Sequence, residues 1–179
     1  MKHAFLKKSL DKILYFVWPQ YMKSGNEHSP VLVLKYWFVQ KILRINGAVP
    51  WPVHPTSVVS KPENIERGAR TPGLSIGCHI DGRNGIILGV NVWIGPRVSI
   101  ISMNHDINNF QKYVTEKPIK IEKNSWLAAN SIILPGVHLG EHTVVAAGAV
   151  VTKSFPEGDQ VLAGVPANIV KRLLPYAEK

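Results

Sequence analysis

Bulky aliphatic residues recur every six positions through the second half of the chain, at Ile121, Leu127, Ile133, Leu139, Val145 and Val151. An earlier run keeps the same spacing at Leu88, Ile94 and Ile100. Four places after most of these stands a small or β-branched residue: Val92, Val98, Ser125, Ser131, Val137, Thr143 and Ala149. Glycine or alanine directly follows many of the aliphatics, as Gly89, Gly95, Ala128, Gly140 and Ala146. An amphipathic helix needs apolar spacings of three and four, and a half-buried strand alternates. A period of six fits neither. It fits short strands separated by tight corners, each side sending one aliphatic into a narrow triangular core. The position four later also points inward, where a corner leaves room only for something small. Three such sides make one coil, and stacked coils pair their strands in parallel. Gly89, Asn91, Asn124, Asn130 and Gly140 fall at or near corners, where positive φ is expected.

The register fails between Ile100 and Ile121. The interval contains the polar and aromatic stretch Ser102-Met-Asn-His-Asp-Ile-Asn-Asn-Phe-Gln-Lys-Tyr113. A solenoid can expel such an insertion at one corner without disturbing its core, which predicts a protruding loop over about 102–118. His105 stands at the base of that loop, and imidazole is the side chain best suited to take a proton near neutral pH. The repeat is also irregular at Asp81-Gly-Arg-Asn-Gly85, which holds Asn84.

The first fifty residues are different in kind. Phe5–Trp18 and Val31–Ile45 are apolar and aromatic with interspersed cations, have helical lengths, and are punctuated by Pro19 and Pro30. Neither reaches the roughly 18 uninterrupted apolar residues of a membrane span. The organisation expected is an N-terminal helical segment over 1–50, the repeat domain over 51–170 and a C-terminal tail over 171–179. The N-terminal segment suits a cap over the open end of the coils, which an exposed edge needs in any case. The alternative is peripheral membrane contact through residues 1–45. Val49-Pro-Trp-Pro-Val-His-Pro55 reads as a proline-stiffened connector.

Charge and cysteine narrow the picture. The chain has 21 Lys and Arg against 12 Asp and Glu, for a net +9. That favours an anionic partner, but no aromatic–basic motif of a nucleic-acid binder accompanies it. The single cysteine, Cys78, excludes an internal disulfide and a Cys-rich metal cluster, and its place among repeat residues predicts a packed thiol. The N-terminus carries no signal-peptide pattern, so a cytoplasmic location is expected, with membrane contact at the inner face.

These repeats, with Ile101-Ser-Met-Asn-His-Asp106 and Asn124-Ser-Trp-Leu-Ala-Ala129, resemble the hexapeptide-repeat acyltransferases. The likeness runs from about Ser75 to Arg172. It is strongest to the galactoside/maltose acetyltransferase branch and to bacterial polysaccharide O-acetyltransferases. It implies a mainly β fold, a left-handed parallel β-helix of hexapeptide repeats, here expected with an N-terminal helical segment and a short C-terminal helix. It implies acetyl-CoA as co-substrate, no metal, and direct acetyl transfer to a hydroxyl of a sugar or polysaccharide unit. It also implies a homotrimer whose groove is shared between subunits.

The same resemblance makes His105 the general base. It places Asn84 against the acceptor, while Asp106 either orients the imidazole or caps the loop. Trp126, Ala128, Ala129, Ala146 and Ala147 would line the coenzyme groove, the small residues and their backbone groups admitting the pantetheine arm. Thr152, Lys153, Lys171 and Arg172 would meet the phosphates. Gly164-Val-Pro-Ala-Asn168 matches the segment that closes the domain, although many members carry a basic residue where Asn168 stands.

Rival readings share the repeat. A serine acetyltransferase usually carries an Asp-Arg-His-Pro stretch, which does not occur here. A γ-class carbonic anhydrase needs three convergent histidines, but His79, His105, His138 and His142 occupy different places in their units. An acetyltransferase of a non-sugar small molecule such as an antibiotic, or a non-catalytic scaffold, remains the alternative.

Overall fold

The computed structural model describes Lys12, Phe16 and residues 30–68 and 70–177. Phe5–Trp18, apart from Lys12 and Phe16, therefore lies outside the described residues. Helix α1 spans Pro30–Lys41, with proline at its start as the sequence requires. The chain then turns through Arg44 and Asn46, both at positive φ, and enters the coils.

The strands are short and fall into three parallel sheets that form the sides of a prism. The first side stacks β1 (Val58–Ser60), β3 (His79–Asp81), β6 (Ser99–Ile101), β11 (Ile132–Ile133) and β14 (Val150–Val151). The second stacks β2 (Ile65–Glu66), β4 (Ile86–Leu88), β9 (Ile119–Ile121) and β12 (His138–Leu139). The third stacks β5 (Trp93–Ile94), β10 (Trp126–Leu127), β13 (Thr143–Val145) and β15 (Gln160–Ala163). This parallel solenoid is consistent with the expected left-handed β-helix. Register repeats the coil length: Ile133 pairs Val151, Leu127 pairs Val145 and Leu139 pairs Ile121.

The core is the inward column read from the sequence. Leu88, Ile100, Ile121, Leu127, Ile133, Leu139, Val145 and Val151 are buried, and Ile94 is partly buried against them. Every small inward position is buried too, from Val92 to Ala149. Hydroxyls are tolerated there because the corner supplies acceptors. Ser131 Oγ donates to the Ala128 carbonyl at 2.8 Å, and Thr143 Oγ1 to the Gly140 carbonyl at 2.7 Å. Cys78 is likewise buried, and burial pushes its thiol up from the ordinary range, as befits a packed group.

The corner residues divide by physical role. Asn91, Asn124 and Asn130 adopt φ near +60°, as expected. Gly89 and Gly140 do not adopt positive φ; they are small for another reason. A Cβ on Gly89 would lie 2.5 Å from the Lys123 nitrogen, and one on Gly140 would lie 2.3 Å from the Pro156 carbonyl oxygen. Backbone of the next coil fills the space.

Both ends are covered. Helix α1 buries Val33, Tyr36 and Gln40. The Gln40 amide nitrogen donates to the Trp51 carbonyl at 3.0 Å, and its oxygen accepts from the Val53 N–H at 2.9 Å. The connector is thus pinned to α1, with Val49, Trp51 and Val53 in the core. No helix among the described residues is long and apolar enough to cross a membrane. The expected short C-terminal helix is not formed. Asn168–Arg172 is instead a strand, β16, antiparallel to β15. The last parallel strand would otherwise present an unpaired edge, and a returning strand satisfies it.

Two alanine substitutions separate the two uses of glycine. Gly140→Ala meets backbone that cannot yield and should cost about 2–4 kcal/mol. Gly148, at φ +72° with nothing near its missing Cβ, should cost only about 1–2 kcal/mol for the strained conformation. Thermal melts checked by circular dichroism should therefore show the larger drop in Tm for Gly140→Ala; the reverse order would refute the close-approach argument.

Candidate active site

The insertion leaves the prism at the corner between the first and second sides. It folds as a hairpin, β7 (Asn104–Asp106) against β8 (Asn109–Val114), with His105 opposite Tyr113. The solenoid is undisturbed across it: Ser99 still pairs Ile132, and Ile87 still pairs Lys120.

Asn84 fixes the base of this hairpin. Its backbone N–H donates to Ser102 Oγ at 2.8 Å, while its side-chain amide donates to the carbonyls of Ser102 at 2.9 Å and Val114 at 3.0 Å. Ser102 and Val114 are the two points where the hairpin leaves and rejoins the corner. The sequence places Asn84 against an acceptor, yet both its amide N–H groups are committed to the loop. Only Oδ1 is left to meet a ligand.

His105 is exposed and held in one orientation. Its Nδ1 lies 2.6 Å from the Phe110 carbonyl oxygen, which can only accept. Nδ1 therefore carries the proton, and Nε2 carries the lone pair of the neutral ring. The Tyr113 ring packs beside the imidazole with centroids 4.5 Å apart. Asp106 does not take part in this orientation. Its Oδ1 accepts the Asn108 N–H at 2.8 Å and so closes the hairpin turn. The Phe110 carbonyl had no sequence signal, because any residue supplies the same group.

The residues expected along the coenzyme groove do not share one corner. Trp126 lies on the outer face of the third side, half exposed, directly above Trp93 of the preceding coil. Trp93 escaped the sequence reading, yet it precedes Ile94 as Trp126 precedes Leu127, so its outward place was legible. Ala128, Ala129, Ala146 and Ala147 form the corner between the third and first sides. The backbone of Ala128 is not available to a ligand: its N–H donates to Val145, and its carbonyl accepts from Ser131. Ala129 O accepts from Gly148, and Ala146 N–H donates to Leu162. These alanines thus offer low relief more than hydrogen bonds, with Ala147 exposed.

The expected phosphate ligands are also divided. Thr152 and Lys153 are exposed at the corner between the first and second sides, two coils beyond the hairpin. Lys171 and Arg172 stand exposed on β16, at the far edge of the third side. Arg172 Nη1 donates to the Gly158 carbonyl at 3.4 Å. The histidines are scattered as their places in the repeat imply. His79 is on the first side, His138 on the second, and His142 at a corner against Asp159. Among the described residues no three His, Cys, Asp or Glu side chains gather where a metal ion could be held.

Comparison with known proteins agrees with this architecture. Residues 118–153 match the family model "bacterial transferase hexapeptide (six repeats)". The galactoside O-acetyltransferase of Lactococcus lactis is 37% identical over 92 residues, covering 49% of this chain and 44% of that protein. The galactoside O-acetyltransferase of Escherichia coli is 33% identical over 91 residues, with 49% and 44% covered. The chain thus matches less than half the length of these curated relatives. Among solved structures, a mutant of AntD, an N-acyltransferase from Bacillus cereus, shares the fold with a TM-score of 0.56 at 19% identity, covering 68% of this chain and 80% of that one. With its six-residue register and three parallel sides, the chain is similar to hexapeptide-repeat acetyltransferases over about half its length.

Proposed function

We propose that this protein is an O-acetyltransferase that moves the acetyl group of acetyl-CoA to a hydroxyl of a sugar or polysaccharide unit. The observation that carries the reading is the His105 ring, held through Nδ1 by a backbone carbonyl on the hairpin the solenoid expels, with Nε2 left basic. The names of the galactoside O-acetyltransferase relatives support the acceptor class.

In this mechanism Nε2 takes the acceptor's hydroxyl proton as the oxygen attacks the thioester carbonyl. A C–O bond forms and the carbonyl oxygen becomes an oxyanion. The oxyanion collapses, the C–S bond breaks, and the imidazolium returns its proton to the departing thiolate. Stabilisation of the oxyanion falls to backbone N–H groups, since the Asn84 amide donors are already used. The coenzyme would lie along Trp126 and the Ala146–Ala147 corner, with Lys153, Lys171 and Arg172 toward its phosphates.

One chain does not bring these parts together. The hairpin leaves one corner, whereas Trp126 and the alanines occupy another side and corner. Ile107, Phe110 and Tyr113 of the hairpin are 85%, 73% and 53% exposed. A bare hairpin of this kind is marginal in water. A homotrimer that seats each hairpin against a neighbour's third side would cover these residues and complete the groove. Membrane contact through residues 1–45 is part of the same reading. Its support is the outward rim of α1 and the turn after it, where Phe38, Ile42 and Leu43 are exposed beside Lys35 and Arg44.

Kinetics of folded variants test the chemistry. His105→Ala should lower kcat by about 10²–10⁴-fold with acetyl-CoA affinity little changed. Near wild-type turnover in a folded variant would remove His105 from the mechanism. Asn84→Ala should lower turnover by loosening the hairpin, and should raise the exchange rate of the β7–β8 amides.

The double variant Lys171→Ala with Arg172→Ala should raise the apparent KM for acetyl-CoA more than it lowers kcat, because the contact is far from the reacting carbon. A change confined to the acceptor's KM would take these two residues out of the coenzyme site.

Assembly is tested by sedimentation of the full chain. Three copies should sediment together, and anionic vesicles should carry them into the pellet. A stable and active monomer overturns the first expectation, and a chain left in the supernatant overturns the second.

A further inference from the structure

Next to His105 lies a charged pair that the proposed chemistry does not use. Asp81 closes β3 and is buried, at 2% exposure. Its carboxylate is gripped by Arg83: Nε lies 3.0 Å from both oxygens, and Nη2 lies 2.9 Å from Oδ2. The Arg83 backbone N–H donates to the same carboxylate at 3.2 Å. The Arg83 side chain is 35% exposed against 3% for Asp81, so the guanidinium is the end of the pair that faces outward.

That outward end borders the reacting centre. The Arg83 Cζ lies 5.0 Å from the centroid of the Tyr113 ring, and the other neighbour of that ring is the His105 imidazole at 4.5 Å. Arg83 and His105 therefore stand on one tyrosine and within about a Debye length of each other. A guanidinium has five N–H donors, and Asp81 engages only Nε and part of Nη2. The remaining edge, which also meets the Tyr113 side chain, is presented by a side chain already fixed, so a ligand that binds it need not freeze a flexible arm.

We infer that Arg83, anchored by Asp81, is an acceptor-binding residue that selects a sugar bearing a carboxylate, a uronic acid or related sugar acid, and sets its hydroxyl at His105. The inference rests on the acetyltransferase reading above and names its substrate class. A planar fork of donors matches a carboxylate in two parallel hydrogen bonds, a fit that a neutral hydroxyl cannot reproduce. The buried Asp81 does not cancel this selectivity, because its oxygens are turned inward and taken by the opposite edge of the guanidinium. Lys112, exposed on the same hairpin, and the net charge of +9 bias approach toward an anion. Specificity would then be set by the corner that the Asp81–Gly85 irregularity creates, one residue before the asparagine that pins the hairpin.

The test uses the full chain, acetyl-CoA and two acceptors that differ in one group, methyl galactoside and methyl galacturonide, with thiol release as the readout. The wild type should favour the acid by roughly tenfold or more in kcat/KM, the scale of a hydrogen bond to a charged group. Arg83→Met should erase the preference chiefly by raising KM for the acid, and Arg83→Lys should keep part of it. Because the preference is a ratio between acceptors on one protein, loss of folded protein in a variant leaves the wild-type comparison standing. Equal kcat/KM for the two acceptors, or a preference for the neutral one, overturns the inference and leaves the acetyltransferase reading intact. An Arg83→Met variant that lowers both acceptors alike assigns the pair to structure alone and overturns it too. Absence of transfer to either sugar, in a chain that also fails to bind acetyl-CoA by calorimetry, overturns both.

Discussion

The rest of the structure depends on how closely one coil lies on the next. At Gly89 and Gly140 the backbone of the following coil occupies the space a methyl group would need. Contact that tight fixes the register of the strands, because a one-residue slip in the ladder pairs that join Ile133 to Val151 and Leu127 to Val145 would turn the core outward. Longer coils, such as the one that carries the chain from Val58 to His79, keep that register by placing the extra residues at a corner. The hairpin that carries His105 is the consequence. Its strands sit outside the prism, while Ser99 and Ile132 pair as though nothing had been inserted between them.

Expulsion gives the site its character. A residue on the prism has its backbone groups spent on the ladder, as the Ala128 and Ala146 positions show. A residue on the hairpin has only its partner strand to pair with and no core to hold it. Three small devices supply the missing order. Asn84 ties the two feet together, Asp106 closes the turn, and the Phe110 carbonyl fixes the imidazole. Each is a polar contact at the surface, so the order rests on few interactions, and the exposed apolar face of the hairpin is the part left unpartnered.

The sequence made the prism legible because six-residue spacing has few other physical causes. Leu88 through Val151 landed in the core, and the hydroxyl-bearing inward positions landed at corners able to satisfy them. What it obscured were roles that one residue type can fill in two ways. Glycine at a corner reads as a need for positive φ, yet at Gly89 and Gly140 it answers close approach. A basic apolar tail reads as helix, yet Asn168–Arg172 pairs as a strand because β15 would otherwise keep an open edge. The resemblance places Asn84 against an acceptor, and the structure adds a second task, since its amide donors hold the hairpin's own carbonyls. Trp126 entered through the resemblance alone, and Trp93, which holds the same outward place before an aliphatic one coil earlier, lies outside the motif that carried it.

The means by which His105 is oriented also bears on its chemistry. A carboxylate against Nδ1 would fix the same tautomer and would in addition place a full negative charge behind the ring. A backbone carbonyl fixes the tautomer with only a dipole. The nearest acid in sequence, Asp106, is turned away into the hairpin turn, and the charged pair on the other side of Tyr113 presents its cation. If His105 is the base proposed above, it works with a backbone dipole behind its ring and the outward end of the Asp81–Arg83 pair beyond Tyr113, and the proposed transfer, whose first event puts negative charge on a carbonyl oxygen, suits such surroundings.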